Sequence, residues 1–263
     1  MKIPRPERIA RIMWRLAKNP FRLFSLSDIA KSFEVSKTVI SDDIEIISNA
    51  MKDEGRCNIV IDRGRGGGAY LVPTFDEADK RRFLEGVAEE LSKEERFLPG
   101  GLIYYSDIVF DPHYTQWLGW ALGSMFIDCG AEVVMTSEVK GIPIAIFVAQ
   151  SLGLPLAVCR FRNRPSDGPA VALHYPSGTG EVRAMYMGTR NLKKGAKVLI
   201  IDDFMRGGST IAGMTMMARE FEATVVGKGV FIVSALPEQK AISGYKALLV
   251  LEKDEHGPRV RVL

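Results

Sequence analysis

The residues with the most chemical content stand in one stretch, Val198-Leu199-Ile200-Ile201-Asp202-Asp203-Phe204-Met205-Arg206-Gly207-Gly208-Ser209-Thr210. Two adjacent carboxylates follow four apolar residues and precede a short glycine-rich loop. The apolar run predicts a strand buried on both faces, as in a parallel sheet. Beyond the loop, residues 211–221 carry apolar side chains at helical spacing, among the helix formers Met216, Met217 and Ala218. The loop therefore joins the carboxyl end of a strand to the amino end of a helix, the edge at which open α/β sheets bind ligands. Free backbone N–H groups and the helix dipole favour a phosphate there. Asp202 and Asp203 would repel a bare phosphate, but carboxylates accept hydroxyl hydrogen bonds well. A ribose 5-phosphate meets both conditions. The alternative is an ordinary buried strand followed by a turn.

The same string resembles the phosphoribosyl-pyrophosphate (PRPP) motif of type I phosphoribosyltransferases. That resemblance implies that Asp202 and Asp203 hold the ribose hydroxyls, and that Arg206, Gly207, Gly208, Ser209 and Thr210 hold the 5-phosphate. Phe204 and Met205 complete the candidate PRPP-binding string. A second loop, Ser137-Glu138-Val139-Lys140-Gly141, ends a strand predicted over residues 132–136 and opens a helix. In phosphoribosyltransferases the matching loop binds pyrophosphate, so Lys140 and Gly141 inherit that role by resemblance. Arg160 ends the next strand with Arg162 and Arg164 close behind, and a guanidinium can make paired bonds to pyrophosphate oxygens. For Arg162 and Arg164 an exposed basic loop explains the charges nearly as well. Residues 174–187 read as a polar, glycine-rich hairpin; related transferases close a flexible loop here over PRPP. Tyr175, Ser177 and Gly178 are its expected ligand contacts, whereas His113 and His174 carry no assigned role.

The elements that must position these residues alternate. Strands are predicted over 132–136, 156–159, 171–174, 198–201 and 224–233, with helices over 142–152 and 211–221. Such alternation implies a doubly wound, mostly parallel sheet. Before it, residues 112–129 read as a helix with Trp117, Trp120, Ala121 and Met125 in the core. Residues 102–105 look like a strand entering this domain, and residues 77–96 like a highly charged connecting helix.

The first 73 residues have another character. They hold 13 Lys and Arg against 9 Asp and Glu, a balance of +4, whereas the remainder holds 22 against 23, or −1. That asymmetry makes the first part the candidate for nucleic acid. Arg8, Arg11, Arg15 and Lys18 form a basic stripe on a helix whose other face is Ile9, Ile12, Met13 and Leu16. Ser27 and Ser36 are expected N-caps of two further helices, the second burying Ile40, Ile44, Ile47 and Met51. Two helices joined by a tight turn read as a helix-turn-helix. The strands at 59–61 and 70–72, around a tip of Gly and Arg, resemble the wing of a winged-helix domain. Ser36, Lys37, Thr38 and Ser41 would then face DNA, with Arg63 and Arg65 reaching phosphate or the minor groove. Asp42, Asp43 and Glu45 make the recognition helix locally acidic, which confines base reading to its first turn. A winged helix used for protein contacts is the alternative.

With 263 residues, 46% apolar and 25% charged, the chain has room for two globular domains: a winged-helix domain over 1–73 and an α/β phosphoribosyltransferase-like domain over 74–263. No apolar run approaches a membrane span and no signal-peptide core is present, so a cytoplasmic protein is expected. Cys57, Cys129 and Cys159 are too few and wrongly spaced for a metal cluster. The combination of winged helix, Ser-Glu-Val-Lys-Gly-Ile-Pro, His-Tyr-Pro-Ser-Gly and the central motif looks like the bacterial purine operon repressors built on this fold. The resemblance implies a homodimer that binds double-stranded promoter DNA, represses purine synthesis genes and is released by PRPP as effector, with which Mg²⁺ can be associated. It also implies a protein that is no enzyme. The rival reading is an active purine phosphoribosyltransferase, but Arg206 stands where 6-oxopurine transferases carry an acidic residue, and a guanidinium is no base. A third reading is a nucleotide sensor acting through protein contacts, with guanine nucleotides competing at the PRPP site.

Overall fold

A computed structural model describes residues 3–55, 57–62, 67–74, 76–178, 180–254 and 257–263. Contacts divide the chain into two units, residues 1–77 with 150–153 and residues 78–149 with 154–263.

In the first unit α1 (Arg5–Lys18) turns Ile12 and Leu16 inward, as its apolar spacing requires. A two-residue strand, β1 (Phe24–Ser25), leads into α2 (Leu26–Phe33). The cap of α2 is Ser25, not Ser27: Ser25 accepts from the Asp28 N–H at 3.4 Å, and Ser27 lies exposed within the first turn. One Ser in a pair two residues apart can cap, and burial of Leu26 chose the earlier. Ser36 caps α3 (Lys37–Glu54) as expected, accepting from Val39 N–H at 3.3 Å. The face that α3 buries is Ile40, Ile44 and Ile47, with Met51 partly covered. Strands β2 (Cys57–Asp62) and β3 (Gly68–Pro73) pair antiparallel, and β1 joins β3 in the order β1-β3-β2. Helix-turn-helix plus sheet is the winged-helix arrangement. Arg63 and Arg65, expected at the wing tip, lie outside the described residues.

Helix α4 (Glu77–Leu91), in the second unit from Ala78 on, stops short of the expected residue 96; Glu94–Arg96 form a 3₁₀ turn instead. Of the strand expected over 102–105, only Leu102–Ile103 form one, β5, which pairs in a small hairpin with β4 (Phe97–Leu98). Helices α5 (Ser106–Phe110) and α6 (Pro112–Ser124) follow. Trp117, Trp120 and Met125 are half-buried, because the inward face of α6 is Thr115, Leu118, Ala121 and Leu122.

Then come β6 (Val133–Ser137), α7 (Gly141–Leu152), β7 (Leu156–Cys159), β8 (Ala170–Pro176), β9 (Val182–Gly188), β10 (Lys197–Met205), α8 (Ser209–Glu220), β11 (Thr224–Ser234), β12 (Lys246–Asp254) and β13 (Gly257–Val262). The main sheet runs β13-β12-β11-β10-β6-β7, parallel throughout except for β13. Residues 171–174 do not join it: β8 pairs only with β9, and this hairpin touches the sheet through a bridge between Arg160 and Tyr186. Strands β12 and β13 extend the sheet beyond β11.

Val198 to Ile201 are wholly buried in β10, which explains their continuous apolar run. Close packing above β11 depends on its glycines. A side-chain carbon on Gly229 would meet Phe126 and Ile201 at 2.8 Å. Helix α8 connects β10 to β11 on one side, and α7 connects β6 to β7 on the other. The neighbours β10 and β6 therefore flank a topological switch point, where a crevice opens at the carboxyl ends of the strands.

Candidate functional site

Asp202 and Asp203 stand at that crevice with different exposures. The Asp202 side chain is 3% exposed and Asp203 is half-buried. Alternation along β10 turns one carboxylate inward and the next toward the opening. Asp202 accepts the Asp203 N–H at 3.2 Å. Burial, then the Asp203 charge, raise the Asp202 pKa well above the usual carboxylate range. Beneath it Cys159 is buried, and its thiol is pushed up to about 12 by burial and by Asp202, so it is inert.

The loop after the acids is shaped for an anion. Gly208 takes φ 86°, a left-handed conformation suited to glycine, and offers no side-chain cap to α8. The first N–H groups of α8 have no acceptor within the helix. Ser209 and Thr210, both half-buried, stand at its first turn. The segment 240–242 braces this loop from behind: Ala241 N–H donates to Gly207 O at 2.7 Å, and Lys240 Nζ donates to Arg206 O at 2.7 Å and Ser234 O at 2.6 Å. Burial lowers the Lys240 pKa. The Arg206 side chain is exposed, Met205 is buried and Phe204 is half-buried.

The second loop meets the first across β6 and β10. A side-chain carbon on Gly141 would lie 3.5 Å from Asp202 Oδ1 and 3.7 Å from Asp203 Oδ1. Lys140 Nζ lies 4.2 Å over the ring of Tyr105, and Tyr105 donates its hydroxyl to Asp203 Oδ2 at 2.6 Å. Arg160 also reaches this edge but is already paired, with Asp167 at 2.7 Å and Glu138 at 3.5 Å. Arg162 and Arg164 are exposed.

From the β8–β9 hairpin, Gly178 comes over the start of α8: a carbon added to it would stand 4.0 Å from Ser209 Oγ. Ser177 is buried, its N–H bonded to Glu181 O at 2.7 Å. Tyr175 points inward, its ring against Gly213 of α8, where an added carbon would meet it at 3.0 Å. Burial raises its pKa, with Arg183 and the Thr210 hydroxyl working against the shift. The tyrosine thus ties the hairpin to α8. Two contributors were missed in the sequence. Tyr105 lies 98 residues from Asp203 in the chain, and Lys240 sits in an irregular stretch; neither carries a local signal.

The first unit presents Ser36, Lys37, Thr38 and Ser41 on one exposed end of α3. Arg11 is exposed and pairs with Glu7 one turn away. Arg15 is half-buried, its guanidinium 4.8 Å over the Phe33 ring and bonded to Ser32 Oγ at 2.9 Å. Arg8 is not part of an exposed stripe. It is 6% exposed and bonded to Asp43, which is itself fully buried in α3 and also accepts Arg5 Nε at 2.9 Å. The spacing that marked a basic face was read one residue too wide, because Asp43 draws Arg8 inward. Asp43 therefore adds no free negative charge to the recognition helix.

Among the described residues, no group of three or more His, Cys, Asp or Glu could hold a metal ion, and no helix is long and apolar enough to cross a membrane.

Comparison with known proteins matches residues 4–73 to the family described as "Bacterial purine repressor, N-terminal" and residues 116–252 to "Phosphoribosyl transferase domain". The probable purine biosynthesis transcriptional regulator PurR of Streptococcus pneumoniae is 35% identical over 95% of this chain and 91% of its own length. The purine biosynthesis transcriptional repressor PurR of Bacillus subtilis is 33% identical over 95% and 88%. In Lactococcus lactis the similar protein, 32% identical over 95% and 92%, is named a purine biosynthesis transcriptional activator. In fold, the second unit is similar to the adenine phosphoribosyltransferase of Rhodothermus marinus, with a TM-score of 0.54 at 18% identity, covering 65% of this chain and 99% of that one.

Proposed function

The chain belongs to the bacterial purine repressor family, and from that premise we propose that it is a DNA-binding repressor of purine biosynthesis genes, released from DNA when PRPP binds at the β10–α8 edge. The observation that carries the proposal is one juxtaposition. Two carboxylates, an uncapped helix start and the Lys140–Gly141 loop meet at the switch point of a sheet whose chain also carries a winged helix. Asp202 and Asp203 would take the ribose hydroxyls, and the loop from Arg206 to Thr210 the 5-phosphate. Lys140, Gly141 and Arg160 would take the pyrophosphate, for which Arg160 must exchange part of its pairing with Asp167 and Glu138. Ser177 and Gly178 would close over the ligand. Any Mg²⁺ would arrive on the pyrophosphate, and guanine nucleotides would compete for the same cradle.

On the DNA side, the winged helix would place Lys37, Thr38 and Ser41 toward a major groove and Arg63 and Arg65 toward phosphate or the minor groove. A homodimer would present two such units to a promoter. No transferase activity is expected: a guanidinium is no base, so the loop lacks one at position 206.

The test is DNA retardation on purine-gene promoter fragments with and without PRPP, beside a transferase assay on the same preparation. PRPP should release the DNA, and no nucleotide should form from adenine, guanine, hypoxanthine or xanthine. Steady turnover above a blank, lost on Asp203→Ala, would overturn the non-enzymatic reading. Similarity to the Lactococcus lactis activator supports a second reading, in which the same switch raises transcription. A reporter driven by the bound promoter, with and without the protein, separates the two.

A further inference from the structure

Asp203, the more exposed of the two carboxylates, already carries a hydroxyl of the protein's own. Tyr105 Oη donates to Asp203 Oδ2 at 2.6 Å. The Tyr105 ring is held on two sides: Phe204 stacks on it at 6.0 Å with 21° between planes, and the Lys140 ammonium lies 4.2 Å from its centre. The residue is 7% exposed, so this is a packed position rather than a side chain resting on the surface. Burial and the Asp203 charge raise the phenol pKa, which keeps its proton available for donation.

We infer that Tyr105 is an internal competitor for the ribose site: its hydroxyl holds the Asp203 carboxylate when no ligand is present and has to be displaced by a ribose hydroxyl. The inference rests on reading this edge as the PRPP site. A phenol and a sugar hydroxyl offer a carboxylate the same kind of bond. Where the ribose hydroxyl takes the Oδ2 position that Tyr105 holds, binding exchanges one donor for another, and apparent affinity falls by the fraction of molecules in which Tyr105 is engaged.

The exchange has a route outward. Tyr105 sits between β5 and α5, and both of its flanks are tied to Arg96. Tyr104 N–H donates to Arg96 O at 2.7 Å, and Arg96 Nη1 donates to Tyr104 O at 3.2 Å. Arg96 also bonds Asp107 at 2.9 and 2.8 Å and Glu90, in the last turn of α4, at 2.7 Å. Displacing Tyr105 thus pulls on a network that ends in α4, the helix that follows the winged-helix segment in the chain. The ligand gains a way to favour one state over another without touching DNA.

The experiment uses the full-length protein and Tyr105→Phe, which keeps the ring, its stacking and the Lys140 contact but removes the donor. Thermal unfolding of both proteins without ligand checks that the variant is folded. PRPP is titrated calorimetrically into each, and against each bound to promoter DNA. Loss of one charge-assisted bond predicts roughly tenfold tighter PRPP binding and DNA release at a correspondingly lower PRPP concentration. Wild-type binding with equal or weaker binding by Tyr105→Phe would overturn the competitor while leaving the PRPP site standing. Absence of PRPP binding in both proteins would overturn the site itself, and the competitor with it.

Discussion

Gly141 lies so close to Thr136 that a side-chain carbon on the glycine would stand 2.4 Å from Thr136 Oγ1, with the Asp202 carboxylate 3.5 Å away. Thr136 is fully buried at the end of β6 and cannot retreat without disturbing the sheet. The loops that follow β6 and β10 therefore approach each other only because residue 141 has no side chain.

Gly141→Ala should accordingly separate the loops. Overpacking of this kind costs about 1–3 kcal/mol. The variant should melt at lower temperature and lose PRPP response while its free winged-helix unit still binds promoter DNA. Calorimetric titration beside DNA retardation checks both halves. Unaltered PRPP affinity would mean that the two loops do not share a ligand.

Asp202 should destabilise the fold that it serves. Its folded pKa is raised, so the folded state binds more protons than the unfolded state between the ordinary Asp value and the folded one. Stability is then fully present below pH ~4 and falls as pH rises through the folded pKa. Asp202→Asn removes the charge. The variant should match the parent near pH 4, exceed it at neutral pH, and fail to respond to PRPP. Urea unfolding across that range is the measurement; equal midpoints at pH 7 would show that the Asp202 pKa is not raised by folding.

Asp202→Ala and Asp203→Ala should yield a regulator that holds promoter DNA but ignores PRPP, since neither residue lies in the winged helix and each removes a ribose acceptor. By linkage, DNA must weaken PRPP binding to the parent by the same factor that PRPP weakens DNA. Release of DNA from the variants at the parent's PRPP concentration would remove these carboxylates from the effector site.

Arg8 and Arg11 should separate stability from DNA contact. Removing one partner of a buried pair costs about 3–5 kcal/mol, because the other charge is left buried and alone. Arg8→Ala should therefore unfold the first unit more readily, by leaving the buried Asp43 with only the exposed Arg5 for a partner. Arg11→Ala should leave stability nearly unchanged and lower the slope of log affinity against log salt by about one, if Arg11 meets a phosphate. Unfolding curves and salt-dependent retardation of both variants decide between the roles.

For Arg63 and Arg65, double replacement by Ala should weaken DNA binding and flatten the same slope by roughly two, one for each phosphate released from contact. An unchanged slope would exclude the wing from the interface.

Local sequence determined a good deal of this protein. The run from Val198 to Ile201 marked the central strand, since only a strand covered on both faces is apolar at every position. Asp202 and Asp203 followed by glycines marked the turn from β10 into α8, because a tight turn into a helix start needs glycine. Ser36 and the 4-3 spacing after it marked α3. What remained hidden depended on partners distant in the chain. Arg8 looked like a surface cation until Asp43, 35 residues away, supplied a buried acceptor. Residues 171–174 read as a strand of the main sheet and are a strand, but hydrogen-bond partners decide which sheet a strand joins, and a strand's own residues do not encode them. Trp117 and Trp120 are apolar enough for a core; the packing of Leu118 and Leu122 against the sheet turned them to its margin. Tyr105 gave no local signal at all. Spacing within one element fixes periodicity, caps and turn chemistry, whereas the bond from Tyr105 to Asp203 exists only because folding closes a loop of 98 residues.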